Sequence, residues 1–102
     1  MTVKVWYDLL SQIGCIVCLK HLYTSSPPEM HHILRSGRKI DDLHTIPLCY
    51  SHHRSEVNTQ LFVSRHPWKK EFERRYGTEL ELLKETRRIV NEHLVTFGQT
   101  VS

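Results

Sequence analysis

The chain has 102 residues, of which 39% are hydrophobic and 25% charged, with a formal net charge of +3. A single small domain with a modest core is the expectation at this length, and such chains often draw on a metal or a partner for stability. The composition excludes wholesale disorder, there is neither an apolar run long enough to span a bilayer nor a signal-peptide pattern, and the default location is therefore cytosolic. The mild positive charge permits nucleic-acid binding without arguing for it.

Val3, Trp6, Leu9, Leu10 and Ile13 recur at three-and-four spacing, which predicts a short amphipathic helix ended by Gly14. Cys15-x-x-Cys18 follows directly, and its spacing lets two thiolates converge on one tetrahedral ion. A redox dithiol is the competing reading, but no strand-helix pattern of the thioredoxin type surrounds the pair. The segment from Tyr23 to Pro28 should be extended or turning. Met30 to Leu34 reads as a strand, followed by a basic turn, Arg35 to Lys39, that could close a hairpin or touch phosphate through Arg35 and Arg38. An ordinary solvated loop explains that turn equally well.

Thr45 to Leu48 predicts a second short strand, with Pro47 tolerated at an edge, and Cys49 should open a helix reaching about Gln60. Pro67 is expected at the first position of a further helix through Trp68, Phe72 and Tyr76, which form one aromatic stripe used for packing, and Gly77 should stop it. Thr78-x-x-Glu81 is a capping box opening a last helix toward Phe97, with Leu83, Val90, Leu94 and Phe97 on its apolar face. Its basic residues alternate with Glu85 and Glu92, the pattern of a solvated, salt-bridged surface.

Three cysteines are an odd number for a disulfide framework and suit a zinc site completed by histidine. Cys15, Cys18, Cys49 and His52 supply two x-x-spaced pairs from separated segments, a closed structural set for zinc; His21, three residues after Cys18, is the weaker alternative for the fourth position. Of the eight histidines, four fall in two adjacent pairs. Neighbouring side chains on a strand face opposite ways, so one member of a pair can serve one site and its neighbour another.

Met30-His-His-Ile33 and Thr45-Ile-Pro-Leu-Cys-x-x-His-His-Arg54 resemble the HNH endonucleases of the ββα-metal class over residues 15 to about 57. With Phe72-Glu-x-x-Tyr-Gly77, the wording is most similar to the phage recombination-enhancement nucleases that act with RecA. The resemblance implies an α+β fold: a ββα-metal core over 15–60 with a zinc knuckle, an N-terminal helix and a helical part over 64–98, all within one domain spanning 1–102. It implies that His31 and His53 ligate a catalytic divalent metal, that His32 is the general base, and that His44, standing where the family name has asparagine, orients it. Arg54 and Arg35 become candidates to hold phosphate, and His44, Asp41, Asp42 or water could complete the metal's shell. The implied ions are structural Zn2+ and a catalytic Mg2+ or Mn2+, with Zn2+ or Ni2+ also suited to imidazole. The implied partners are DNA, cut with low sequence specificity inside a bacterial host cell, and a RecA filament. The competing functions are a zinc-knuckle module that binds nucleic acid without cutting and a RecA-associated adaptor.

Overall fold

The computed structural model describes residues 1–96. Helix α1 spans Val3–Ile13; Thr2 caps it, its Oγ1 accepting from the Val5 N–H at 3.2 Å. Trp6, Leu9, Leu10 and Ile13 are buried as their spacing predicts, whereas Val3 stays on the exposed flank. Gly14 ends the helix at φ 84°, where a Cβ would lie 2.5 Å from Ser25 Oγ and 2.9 Å from Ser26 O. The chain can therefore leave the helix tightly against the 25–26 segment, and Cys15 N–H donates to Ser26 O at 3.1 Å. A single π-helical turn, Cys18–Leu22, follows.

Strand β1, Glu29–His32, pairs antiparallel with β4, Thr45–Leu48, with His31 opposite Ile46 and His32 opposite Thr45. Between them β2, Leu34–Arg35, and β3, Arg38–Lys39, form the small hairpin expected of the basic turn. Its two-residue loop has Ser36 at φ 53° and Gly37 at φ 77°, the two left-handed residues a type I′ turn requires. All four residues of β4 are buried, because α1 and the last helix, Glu79–Thr96, pack against that strand. Pro47 removes a donor from a strand that has only one sheet neighbour, so the ladder tolerates it. Trp6 Nε1–H donates to Thr45 Oγ1 at 2.9 Å, both groups being buried, and Thr45 donates in turn to Asp42 O at 3.0 Å. These bonds fix the first helix to the sheet.

Helix α2 spans only Tyr50–His53, with Cys49 as its N-cap, and does not reach Gln60. The shortening has a backbone cause. The chain folds back so that Arg65 N–H donates to His52 O at 2.8 Å and His66 N–H to His53 O at 3.0 Å. The carbonyls that would have continued the helix are thus already satisfied. Helix α3 is Lys69–Tyr76, starting two residues after Pro67, with Trp68 as its N-cap. Only Phe72 of the aromatic stripe is fully buried; Trp68 is half-exposed, its Nε1–H donating to Glu56 O at 2.9 Å, and the Tyr76 hydroxyl accepts from Val63 N–H.

The capping box at the start of α4, Glu79–Thr96, forms in both directions: Glu81 N–H donates to Thr78 Oγ1 and Thr78 N–H to Glu81 Oε1, each at 3.1 Å. Leu82, Leu83, Val90 and Leu94 join the core, and Arg88 pairs with Glu85 and Glu92 on the outer face. Phe97 lies outside the described residues. One hydrophobic cluster draws on α1, the 15–18 turn, β4, α3 and α4. The result is a small α+β protein in which α1, the two sheets and α2 bring the cysteine and histidine segments together. Among the described residues no helix is long and apolar enough to cross a membrane.

Candidate metal centre and histidine pair

The end of α1 delivers Cys15, the following turn Cys18, the N-cap of α2 Cys49, and its third residue His52. The four ligand atoms lie within 4.8 Å of one another. His52 Nδ1 is 3.8 Å from Cys15 Sγ and 3.6 Å from Cys18 Sγ, and Cys18 Sγ is 3.8 Å from Cys49 Sγ. A tetrahedral zinc site with Zn–S of about 2.3 Å and Zn–N of about 2.0–2.1 Å sets its sulfurs ~3.8 Å apart and its nitrogen ~3.6 Å from each sulfur. Cys49 Sγ, 3.2 Å from His52 Nδ1, is the one donor closer than that, by ~0.4 Å; the set otherwise fits, and these four residues could hold a metal ion such as zinc. Cys15, Cys18 and His52 are almost wholly shielded from solvent, and no cysteine is in a disulfide. Crowding of the thiols splits their acidities: the hydrogen bond with Cys49, then burial, push Cys15 up, while the Cys15 hydrogen bond and then His52 bring Cys49 down to about 3. His21 stands outside the cluster, its ring edge-on to Tyr76 at 5.2 Å.

His31 and His32 are on strand β1 and turn to opposite faces, whereas His52 and His53 are on helix α2 and diverge by its turn of about 100° per residue. While His52 turns to the cysteines, His53 turns to His31, with His31 Nδ1 3.1 Å from His53 Nε2. Each ring is backed by a carboxylate at its other nitrogen. Glu79 Oε2 lies 3.1 Å from His31 Nε2, and Glu29 Oε1 lies 2.8 Å from His53 Nδ1. Each carboxylate is held by an arginine: Arg65 Nε–H donates to Glu79 Oε1 at 2.6 Å, and Arg54 forks onto Glu29 through Nε–H and Nη2–H at 2.7–3.0 Å. The six side chains form one continuous row, Arg65, Glu79, His31, His53, Glu29 and Arg54.

Glu79 is the most enclosed member, its side chain 10% exposed. Burial alone would raise its pKa, but the hydrogen bonds from His31 and Arg65 outweigh that and leave it at about 2, so it is a carboxylate. Glu29 is held below the usual range by Arg54, and burial lowers His53.

On the opposite face of β1, His32 Nε2 lies 2.9 Å from Asp42 Oδ1 and 3.3 Å from the Tyr7 hydroxyl. The structure does not bring His44 into contact with the His32 ring. Its own Nδ1 meets Asp41 Oδ1 at 2.8 Å, and its carbonyl accepts from Ile33 N–H. Nor do His44, Asp41 or Asp42 reach the His31–His53 pair, whose flanking acids are Glu29 and Glu79. Arg54 is engaged by Glu29, whereas Arg35 and Arg38 face each other across the exposed hairpin with no carboxylate paired to either among the described residues.

Sequence reasoning missed Tyr7, Arg65 and Glu79, and gave Glu29 no role. Glu29 had a signal, since residues i and i+2 of a strand share a face and Glu29 thus accompanies His31. Glu79 stands 48 residues from its partner and had none.

A largely buried Cys3His cluster that could hold a metal ion such as zinc lies beside a carboxylate-backed histidine pair, and one short helix contributes to both. The family model for recombination enhancement, RecA-dependent nuclease, matches residues 2–91, and the chain belongs to that family. A search of curated proteins gives no match.

Proposed function

We propose that this RecA-dependent nuclease is a metal-dependent HNH endonuclease that hydrolyses DNA phosphodiesters with little sequence preference. The Cys3His cluster serves as its structural zinc knuckle, and β1, β4 and α2 as its ββα-metal core. The observation that carries the reading is the 3.1 Å approach of His31 Nδ1 to His53 Nε2, with a carboxylate behind each ring.

A carboxylate can only accept, so Glu79 and Glu29 hold protons on the outer nitrogens, and in the neutral rings the two inner nitrogens carry the lone pairs and face each other. Two lone pairs so placed call for a cation between them. Imidazole nitrogens sharing one ion at about 2.0–2.1 Å can be at most ~4.2 Å apart, so the separation suits joint ligation. Carboxylate support behind ligating histidines is the usual arrangement at such sites. When bound, a divalent ion there supplies a Lewis acid beside the scissile phosphate.

The remaining chemistry belongs to the chain. His32 is the general base: Asp42 accepts from its Nε2–H, which keeps Nδ1 free to take the proton of the attacking water, and then stabilises the imidazolium. The orienting role expected of His44 passes to Asp42. In-line attack leaves a 5′ phosphate. Arg35 and Arg38, two like charges set opposite each other on the hairpin, are supported as backbone-phosphate contacts because no carboxylate forms an ion pair with either among the described residues. The family's link to RecA makes DNA paired within a RecA filament the natural substrate.

The test is cleavage of a duplex paired to a RecA-coated single strand, compared with naked duplex. Wild-type protein should cut the paired DNA, and His32→Ala should lose about 10²–10⁴-fold in rate while keeping its zinc. Equal rates for the two proteins would refute the assignment of the base.

A further inference from the structure

We infer that Glu79, aimed by Arg65, is a positioning residue that fixes His31 as the tautomer protonated on Nε2, so that its Nδ1 is available for a metal ion shared with His53. The inference rests on the metal reading above and deepens it. It adds Arg65 as the group that aims Glu79, the first residue of α4, which is remote in sequence from the cysteine and histidine segments.

The argument is one of direction. Arg65 has only donors, and its Nε–H occupies Glu79 Oε1 at 2.6 Å. The second carboxylate oxygen, Oε2, is then the one presented to His31 Nε2 at 3.1 Å. Because both oxygens accept, the imidazole must donate from Nε2, and in the neutral ring Nδ1, 3.1 Å from His53 Nε2, then carries the lone pair. The enclosure of this group matters: Glu79, His31 and Arg65 side chains are 10%, 13% and 17% exposed, so water competes poorly for the same nitrogen. Glu79 does not itself face the inner nitrogens, which separates positioning from ligation.

Glu79→Gln makes the inference testable, because an amide has one oxygen and one NH2. Arg65 can bond only the oxygen, which turns the NH2 toward His31 Nε2. His31 must then accept at Nε2 and carry its proton on Nδ1, the nitrogen the ion needs. Removing the arginine as well, in Glu79→Gln/Arg65→Met, frees the amide to rotate and present its oxygen to His31. The double variant should therefore recover what the single variant loses, an outcome that mere damage to the fold would not give.

Two readouts decide it. Long-range 1H–15N spectra of the imidazoles at about pH 8.5, well above an ordinary histidine pKa, should show wild-type His31 protonated on Nε2, Glu79→Gln protonated on Nδ1, and the double variant back on Nε2. Mn2+ titrated calorimetrically into the zinc-loaded protein should bind Glu79→Gln about 10–100-fold more weakly than wild type, with most of that loss regained in the double variant. Wild-type His31 protonated on Nδ1 would overturn the inference even if the variants failed to fold. So would a folded Glu79→Gln that binds Mn2+ as wild type does, or a double variant no better than the single one. Failure of wild type to bind any of Mn2+, Mg2+, Ni2+ and Zn2+ beyond the zinc of the cluster would instead overturn the metal reading, while the tautomer spectra still judge Glu79.

Discussion

Stripping the metal from the Cys3His cluster should cost the protein most of its stability. The cluster joins the end of α1 to α2, and three of its four side chains are at most 4% exposed, in contact with the core built around Leu10, Ile16 and Leu48. Structural zinc contributes on the order of 10–16 kcal/mol in small zinc-finger peptides, where binding and folding are one event. At about 0.05–0.15 kcal/mol per residue, the entire folding margin of a chain this size is only ~5–15 kcal/mol. This chain has a core of its own, so part of the fold can survive, but even a loss of ~5 kcal/mol corresponds to a fall in Tm of roughly 20–40 °C. Cys49→Ser should reproduce most of the effect, since it removes one of the thiolate ligands. The assay is thermal unfolding followed by circular dichroism, for zinc-loaded protein, chelator-stripped protein and Cys49→Ser, with metal content measured on each sample. Stripped protein that unfolds within a few degrees of the loaded form would refute a structural role for the cluster.

Three smaller perturbations probe other links. Thr45→Val leaves the buried Trp6 N–H without an acceptor and should destabilise by about 1–3 kcal/mol in denaturant titration; zero cost would mean that the bond does not hold α1 to β4. Gly14→Ala forces a Cβ to 2.5 Å from Ser25 Oγ and 2.9 Å from Ser26 O at φ 84°, and should cost more than about 1 kcal/mol, read by the same titration. Replacing Arg35 and Arg38 together by glutamine should weaken DNA binding for every sequence alike and flatten the salt dependence by up to two phosphate contacts; an unchanged log–log salt slope would remove the hairpin from the DNA surface.

What could be read in the sequence was local. Cys15 and Cys18, and Cys49 and His52, are pairs three residues apart, and a turn or the first turn of a helix converts that spacing into convergence almost regardless of the surroundings. The division of labour within His31-His32 followed from strand alternation, that within His52-His53 comes instead from the turn of helix α2, and the α4 capping box could be read from four consecutive residues. The failures were tertiary. The end of α2 is set by N–H groups of Arg65 and His66, more than ten residues downstream, so helix periodicity past Cys49 had no means of marking it. The start of α3 moved because Trp68 reaches back to Glu56 and serves as the cap. The acids around the histidine pair arrive from opposite ends of the fold, Glu29 from β1 and Glu79 from α4, and only folding brings them to one row. His44 stands at the family's position for an orienting residue, while the hydrogen bonds of the His32 ring run to Asp42 and Tyr7.

The most direct test of the nuclease assignment is cleavage of a plasmid paired to a pre-formed RecA-coated single strand, by protein whose zinc cluster is filled and whose histidine pair has been stripped, resupplied separately with Mg2+, Mn2+, Ni2+ or Zn2+, beside His31→Ala. Cleavage restored by at least one ion in the wild type only, with 5′-phosphate ends on the products, is the result expected of a metal held by His31 and His53. Cleavage that proceeds without added ion, or that His31→Ala supports equally well, would contradict it.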